Sequence, residues 1–149
     1  MACNSDSLAQ QVSVIKITDL EKRMNTNSDT TFIINFWATW CSPCVKELPE
    51  FDSIGKVYIS AKVKVLLVSM DFKEDLATKL LPFMNKRKVQ SEVVLLDETN
   101  GNYFIPKISE QWSGALPATL ILNNKLKVKR FYEKKLTFAF LKSEIESIK

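Results

Sequence analysis

The sequence predicts an α/β domain with a central mixed sheet flanked by helices. It would span residues 12–149, behind a flexible tether of residues 1–11. Three observations predict it. Residues 32–38 are an apolar run rich in aromatic and β-branched side chains, interrupted only by Asn35, and residues 63–70 (VKVLLVSM) are a second run of the buried type. Such runs suit strands covered on both faces. Each is followed by a helical pattern, and strands alternating with helices make βαβ units around a partly parallel sheet. Finally, 149 residues suffice for one domain with a substantial core.

Taken in order, residues 12–17 form a short apolar alternation suited to an edge strand. Residues 19–25 then place Leu20 and Met24 one helical turn apart. This strand and helix form an N-terminal extension, closed by the turn-forming Asn25-Thr26-Asn27-Ser28-Asp29. The buried strand 31–38 follows. From Ser42 a helical stripe runs through Val45, Leu48, Phe51 and Tyr58, with Ile54 close to it. Pro49 should kink this helix, and Gly55 is a second weak point. After the strand 63–70, ended by Asp71, residues 74–88 place Leu76, Leu80, Phe83 and Met84 on one helical face, and Pro82 should bend or split that helix. Residues 92–96 make another strand.

Residues 97–114 are the least regular piece, punctuated by Asn100-Gly101-Asn102, Pro106 and Gly114. Leu116 to Leu122 enters a strand, and Asn123-Asn124 is a hairpin-turn candidate. Residues 125–132 would return, with Lys125, Lys127 and Lys129 alternating along one solvated edge. Thr137 is a suitable N-cap for a last helix with an apolar stripe of Phe138, Leu141, Ile145 and Ile148.

Composition excludes several chemistries. The chain contains no histidine, which removes Cys–His and Ser–His–Asp nucleophiles and every mixed Cys/His metal site. Three cysteines cannot complete a Cys₄ zinc site in one chain. The net charge of +4 is scattered, unlike the clustered face that binds nucleic acid. No apolar run is long enough for a transmembrane segment. Cys3 is the odd thiol if the other two cysteines pair. Its context, Met1-Ala2-Cys3-Asn4-Ser5-Asp6-Ser7, is similar to the mature end of a bacterial lipoprotein, whose cysteine carries a lipid anchor. Met1-Ala2 would then stand in place of an export signal, which is absent as written. The alternative is an incidental thiol on a disordered terminus.

The chemistry concentrates in TFIINFWATWCSPCVKELPEF, residues 31–51. Cys41 and Cys44 fall where a buried strand hands over to a helix, a setting for dithiol–disulfide chemistry. A helix N-terminus offers unpaired N–H groups and a partial positive charge. Cys41, at its entry, should be the exposed, thiolate-forming nucleophile. Cys44, one turn deeper, should be the resolving thiol. Pro43 presets φ in the first turn without wasting a needed donor. Lowering a thiol pKa from about 8.5 to about 7 raises its thiolate fraction at neutral pH by roughly 15-fold. Nucleophilicity falls by roughly 5-fold, so attack gains only about threefold, and the potential moves by about 10 mV. The motif therefore identifies the reaction type without setting its direction. Alone, the same pair could be an inert disulfide or half a metal site.

Pro117 bears on that choice. It is an ordinary trans residue at a strand entrance, or, beside the cysteines, a cis-proline setting its neighbours' backbone against the reactive sulfur. In the second case Leu116 and Pro117 would hold an extended substrate chain by main-chain hydrogen bonds.

FWATWCSPC followed by VKELPEF, with ALPATLIL further on, resembles the thioredoxin-like superfamily, in particular its periplasmic TlpA/ResA-type branch. The match runs in order over about residues 33–122. The resemblance implies a thioredoxin fold, with Cys41 as nucleophile, Cys44 as resolving cysteine and Pro117 as the cis residue. Thioredoxins proper usually carry a buried Asp where this chain has Asn35, and a Gly where it has Ser42. The TlpA/ResA-type proteins often have Asn there, with a Glu three residues after the second Cys, here Glu47. Asn35 cannot take a proton, so Glu47 is the remaining carboxylate that could deprotonate Cys44. Its other reading is a surface glutamate pairing with a lysine. Asn35, Ser42 and Pro43 would tune the pair.

Trp40 would form an aromatic rim that receives partners; Trp112 joins that rim or packs in the core. The resemblance implies a protein disulfide oxidoreductase of the periplasm or cell envelope. It would act as a monomeric reductant without metal or organic cofactor. Its partners would be protein thiol and disulfide substrates, apocytochrome c among them, and an upstream electron-donor protein. The rivals are a module that only binds a chain or a metal through the dithiol, and a peroxidase, although nothing resembles its P-x-x-x-T-x-x-C site.

Overall fold

The computed structural model describes residues 11–148. Most of the expected tether, and Cys3 with it, lies outside them. Six strands form one sheet: β1 (Val12–Ile15), β2 (Thr31–Trp37), β3 (Val63–Ser69), β4 (Glu92–Leu96), β5 (Ala118–Asn123) and β6 (Val128–Tyr132), in the order β1-β4-β3-β2-β5-β6. β1, β4, β3 and β2 run parallel, while β5 and β6 are antiparallel. Five α-helices cover it: α1 (Ile17–Met24), α2 (Ser42–Val57), α3 (Leu81–Arg87), α4 (Gly101–Ile108) and α5 (Phe138–Ser147).

Side-chain alternation along β2 divides the core in two. Ile33 and Trp37 join Leu48, Phe51 and Ile54 of α2, Met84 of α3 and Leu141 and Ile145 of α5. Ile34 and Phe36 point the other way, toward Ile17 and Leu20 of α1 and Phe104 and Ile108 of α4. β2 therefore lies in the middle of the sheet with both faces covered, as its apolar run predicts. The N-terminal extension is tied in by β1–β4 pairing and by a two-pronged bond from Arg23 to Glu92, 2.8 Å on each arm.

Local expectations are corrected at two places, residues 97–114 and the hairpin between β5 and β6. Residues 97–114 contain α4, because Asn100-Gly101 starts a helix that buries Phe104 and Ile108. Pro106 is accommodated inside it. The hairpin turn spans Asn124 to Lys127, with Lys127 at φ 56°. Lys125 and Lys127 therefore sit in the turn, and only Lys129 of the three lies on β6. As expected from Pro82, the 74–88 helix is split, into a 3-10 turn (Lys73–Asp75), a π-helical turn (Leu76–Leu80) and α3, the change falling just before that proline. Pro49 and Gly55 leave α2 unbroken to Val57.

Phe51, fully buried between α2 and the sheet, should cost about 3–5 kcal/mol when cut to alanine, read by denaturant unfolding. The Arg23 guanidinium holds the Glu92 carboxyl down at about 2. A depressed value contributes stability above the unfolded carboxylate range, lost as pH falls through the folded value. Glu92→Gln should therefore be less stable than the parent at neutral pH, by under about 1 kcal/mol for so exposed a pair. The gap should close near pH 2.

Candidate active site

The site grows from the C-terminal end of β2. After Trp37 the chain leaves the sheet through Ala38, Thr39 and Trp40 and enters α2 with Cys41 as N-cap. The Cys41 N–H donates to the Ala38 carbonyl (3.1 Å), and the Cys41 carbonyl accepts from Val45 N–H (3.0 Å). Pro43 sits in the first turn, where its missing N–H costs nothing. Cys41 and Cys44 are joined as a disulfide, Cα to Cα 5.3 Å. Such a pair takes up two electrons and two protons to become two thiols, and the helix N-terminus favours a thiolate at Cys41.

Exposure of Cys41 is corrected. In the disulfide Cys41 retains only 7% accessibility and Cys44 none. The closed bond turns Cys41 back toward the buried Cys44, and both join the apolar cluster beneath α2. What faces water is the covering surface, with Trp40 66% accessible and Ser42 and Pro43 exposed.

Asn35 and Glu47 meet beneath the pair. Glu47 lies one turn beyond Cys44 on α2 and is fully buried, so the surface-glutamate reading is excluded. Its Oε2 accepts from Asn35 Nδ2 at 2.9 Å and its Oε1 from the Leu136 N–H at 2.8 Å. Burial pushes its carboxyl up from 4.5 to about 7, against the pull of these two donors and of Lys135. Asn35 Nδ2 also lies 3.3 Å from the Ala118 carbonyl and 3.2 Å from Thr119 Oγ1, while its own Oδ1 has no partner among the described residues.

Leu116 and Pro117 precede β5, and their peptide bond is cis. Phe36 pairs with Ala118, so the register sets Pro117 opposite Trp37, four residues before Cys41. Gly114, at φ +98°, makes the turn into this segment. Trp112 belongs to the core. It packs on Phe36, Phe104 and Phe131, and its Nε1–H donates to the Ala115 carbonyl at 2.8 Å, bracing the loop before Leu116.

Two contributors escape sequence reasoning. Asp71, nearly buried, accepts from Thr39 N–H (3.1 Å), Thr39 Oγ1 (2.6 Å) and Ser69 Oγ (2.7 Å), anchoring the turn that carries Trp40 and Cys41. Its signal was its place straight after β3, which runs level with the end of β2 through the Trp37–Ser69 pair. The Leu136 amide gives no signal, because any non-proline residue could supply it.

Known proteins resemble this chain in sequence and in fold. The chain is 27% identical to thiol-disulfide oxidoreductase ResA of Geobacillus thermodenitrificans, over 89% of this chain and 73% of that protein. It is 27% identical to sporulation thiol-disulfide oxidoreductase A of Bacillus subtilis, over 80% and 68%. Among solved structures, a thioredoxin-related protein of Neisseria meningitidis serogroup B superposes with a TM-score of 0.69 at 21% identity, covering 81% of this chain and 86% of that one. StoA of Bacillus subtilis gives 0.60 at 25%, covering 78% and 83%. The family model described as AhpC/TSA matches residues 8–131, most of the chain, and with its thioredoxin fold and paired cysteines the protein belongs to that family.

Proposed function

We propose that this chain is a thiol–disulfide oxidoreductase of the cell envelope, reducing disulfides of protein substrates through Cys41 and Cys44. The observation that carries the reading is the Cys41–Cys44 pair at the start of α2, under the exposed Trp40, Ser42 and Pro43. In the reduced protein the Cys41 thiolate attacks one sulfur of a substrate disulfide. That S–S bond breaks, and the other substrate sulfur leaves as a thiolate and takes up a proton. Cys44, deprotonated, then attacks Cys41 in the mixed disulfide and releases the second substrate thiol. The substrate has gained two electrons and the enzyme holds the Cys41–Cys44 bond. An electron-donor protein bearing a dithiol restores the reduced state, and no metal or organic cofactor takes part.

Glu47 is the base for Cys44. A carboxyl held up to about 7 by burial, one turn from Cys44, can take a thiol proton and release it at neutral pH. Asn35 positions that carboxylate. Ser42 and Pro43 set the local geometry of the pair. Leu116 and Pro117 present the backbone edge along which a substrate chain lies, with Trp40 as its rim. The disulfide of apocytochrome c, reduced to its two thiols, is a substrate that fits this direction, the protein acts as a monomer, and a lipid on Cys3 would hold it at the membrane.

Peroxide chemistry fits less well. In the P-x-x-x-T-x-x-C pattern, the positions seven and three before Cys41 are here Ile34 and Ala38. Neither carries a hydroxyl, and both are buried.

Reduced protein should reduce insulin disulfides, and Cys41→Ser should abolish this, whereas Cys44→Ser should accumulate a mixed disulfide visible by mass spectrometry. Turnover surviving Cys41→Ser would overturn the reading. Tight substrate or metal binding without turnover would replace it with a binding role.

Resolution of the mixed disulfide should accelerate with pH through about 7 in the parent protein. Glu47→Gln should lose that inflection and slow by about a hundredfold, the low side of what a positioned base gives. Stability carries the opposite sign to that of Glu92. A carboxyl whose folded value is raised binds its proton more tightly when folded, so stability falls as pH rises from 4.5 through about 7. The loss is about 3 kcal/mol, and Glu47→Gln should not show it.

A further inference from the structure

A cleft of about 430 Å³ opens beside the reactive turn, on the flank facing α3. It is lined by Thr39 and Trp40 of the turn, Ser42, Val45 and Lys46 of α2, and Phe83 and Arg87 of α3. Its apolar surface comes from Val45 and two aromatic rings, the exposed Trp40 and the half-buried Phe83, which packs on the Trp37 ring at 5.5 Å. Its charge is of one sign. Lys46 and Arg87 are exposed, no carboxylate lines the cleft, and neither cation belongs to an ion pair among the described residues. Arg87 lies over the Phe83 ring, 5.4 Å from its centroid, which orders the guanidinium at the mouth.

We infer that this cleft docks an acidic segment of the protein substrate flanking its reactive cysteine. Carboxylates of that segment meet Lys46 and Arg87 while its apolar groups lie on Trp40 and Phe83. The inference rests on the exchange activity proposed above and adds a charge preference to it. Two cations without a carboxylate partner among the described residues supply the side-chain discrimination that main-chain hydrogen bonding to a substrate lacks. Because both are exposed, the preference is modest and sensitive to salt. The site acts on encounter, raising the rate at which Cys41 meets substrates of the right charge.

The test uses the full-length reduced protein and three disulfide-linked peptides that differ only in whether Glu, Gln or Lys flanks the cysteine. Second-order exchange rates are followed by stopped flow. The Glu peptide should react about five- to tenfold faster than the Gln peptide at low salt, and the Lys peptide slower than either. The Glu-to-Gln ratio should fall toward one at about 0.5 M salt, and in the Lys46→Gln/Arg87→Gln double variant at low salt. A double variant remote from the cleft, Lys22→Gln/Lys142→Gln, removes the same net charge and should keep the ratio. Equal rates for the Glu and Gln peptides, or a preference that survives loss of Lys46 and Arg87, would overturn the acidic docking site and leave the exchange activity standing. Failure to exchange with any of the three would overturn both.

Discussion

The constraint on which the structure depends is the enclosure of β2. It hydrogen-bonds to β3 on one edge and β5 on the other, and helices cover both its faces. A strand so enclosed meets solvent only at its ends. At the C-terminal end the chain turns straight into α2, so the sulfurs stand at the border between core and water. Asp71 fixes the turn between them, holding Thr39 by backbone and side chain together. The turn thus borrows its rigidity from β3, whose end lies level with that of β2.

Glu47 is the most constrained charge in the chain. It joins three separate parts, β2 through Asn35, α2 on which it sits, and the segment before α5 through the Leu136 amide. Two donors compensate burial only in part, which is why its carboxyl titrates near neutrality rather than in the usual carboxylate range. Replacement by an apolar side chain would strand both donors, a costlier outcome than losing the charge itself. Glutamine is gentler, since its carbonyl oxygen still accepts from the Leu136 N–H and only the contact with Asn35 is disturbed.

The parts legible in the sequence are those where one residue type has one physical use. Continuous apolar runs marked β2 and β3, Thr137 marked the start of α5 and accepts from Phe140 N–H as a cap should, and Cys41 and Cys44 marked the reactive turn. Where residue types have several uses, the reading failed. Asn100, Gly101 and Pro106 signal a loop as readily as a helix, and burial of Phe104 and Ile108 decided for α4. Alternating lysines suggested a strand in which two of the three lie in a turn that Lys127 closes with a positive φ. Asp71 offered only its place after β3 as a signal and the cationic cleft none, because both depend on segments distant in sequence, which only the sheet order and the packing of α3 bring together.

The placement of the indole rings has an optical consequence. The chain has three tryptophans, of which Trp37 and Trp112 are buried and Trp40 stands in water. Emission from the first two reports the interior, while a soluble collisional quencher selects Trp40, which adjoins Cys41. The molecule thus carries its own fluorescent gauge at the rim of the reactive turn, beside two buried rings that a soluble quencher does not reach.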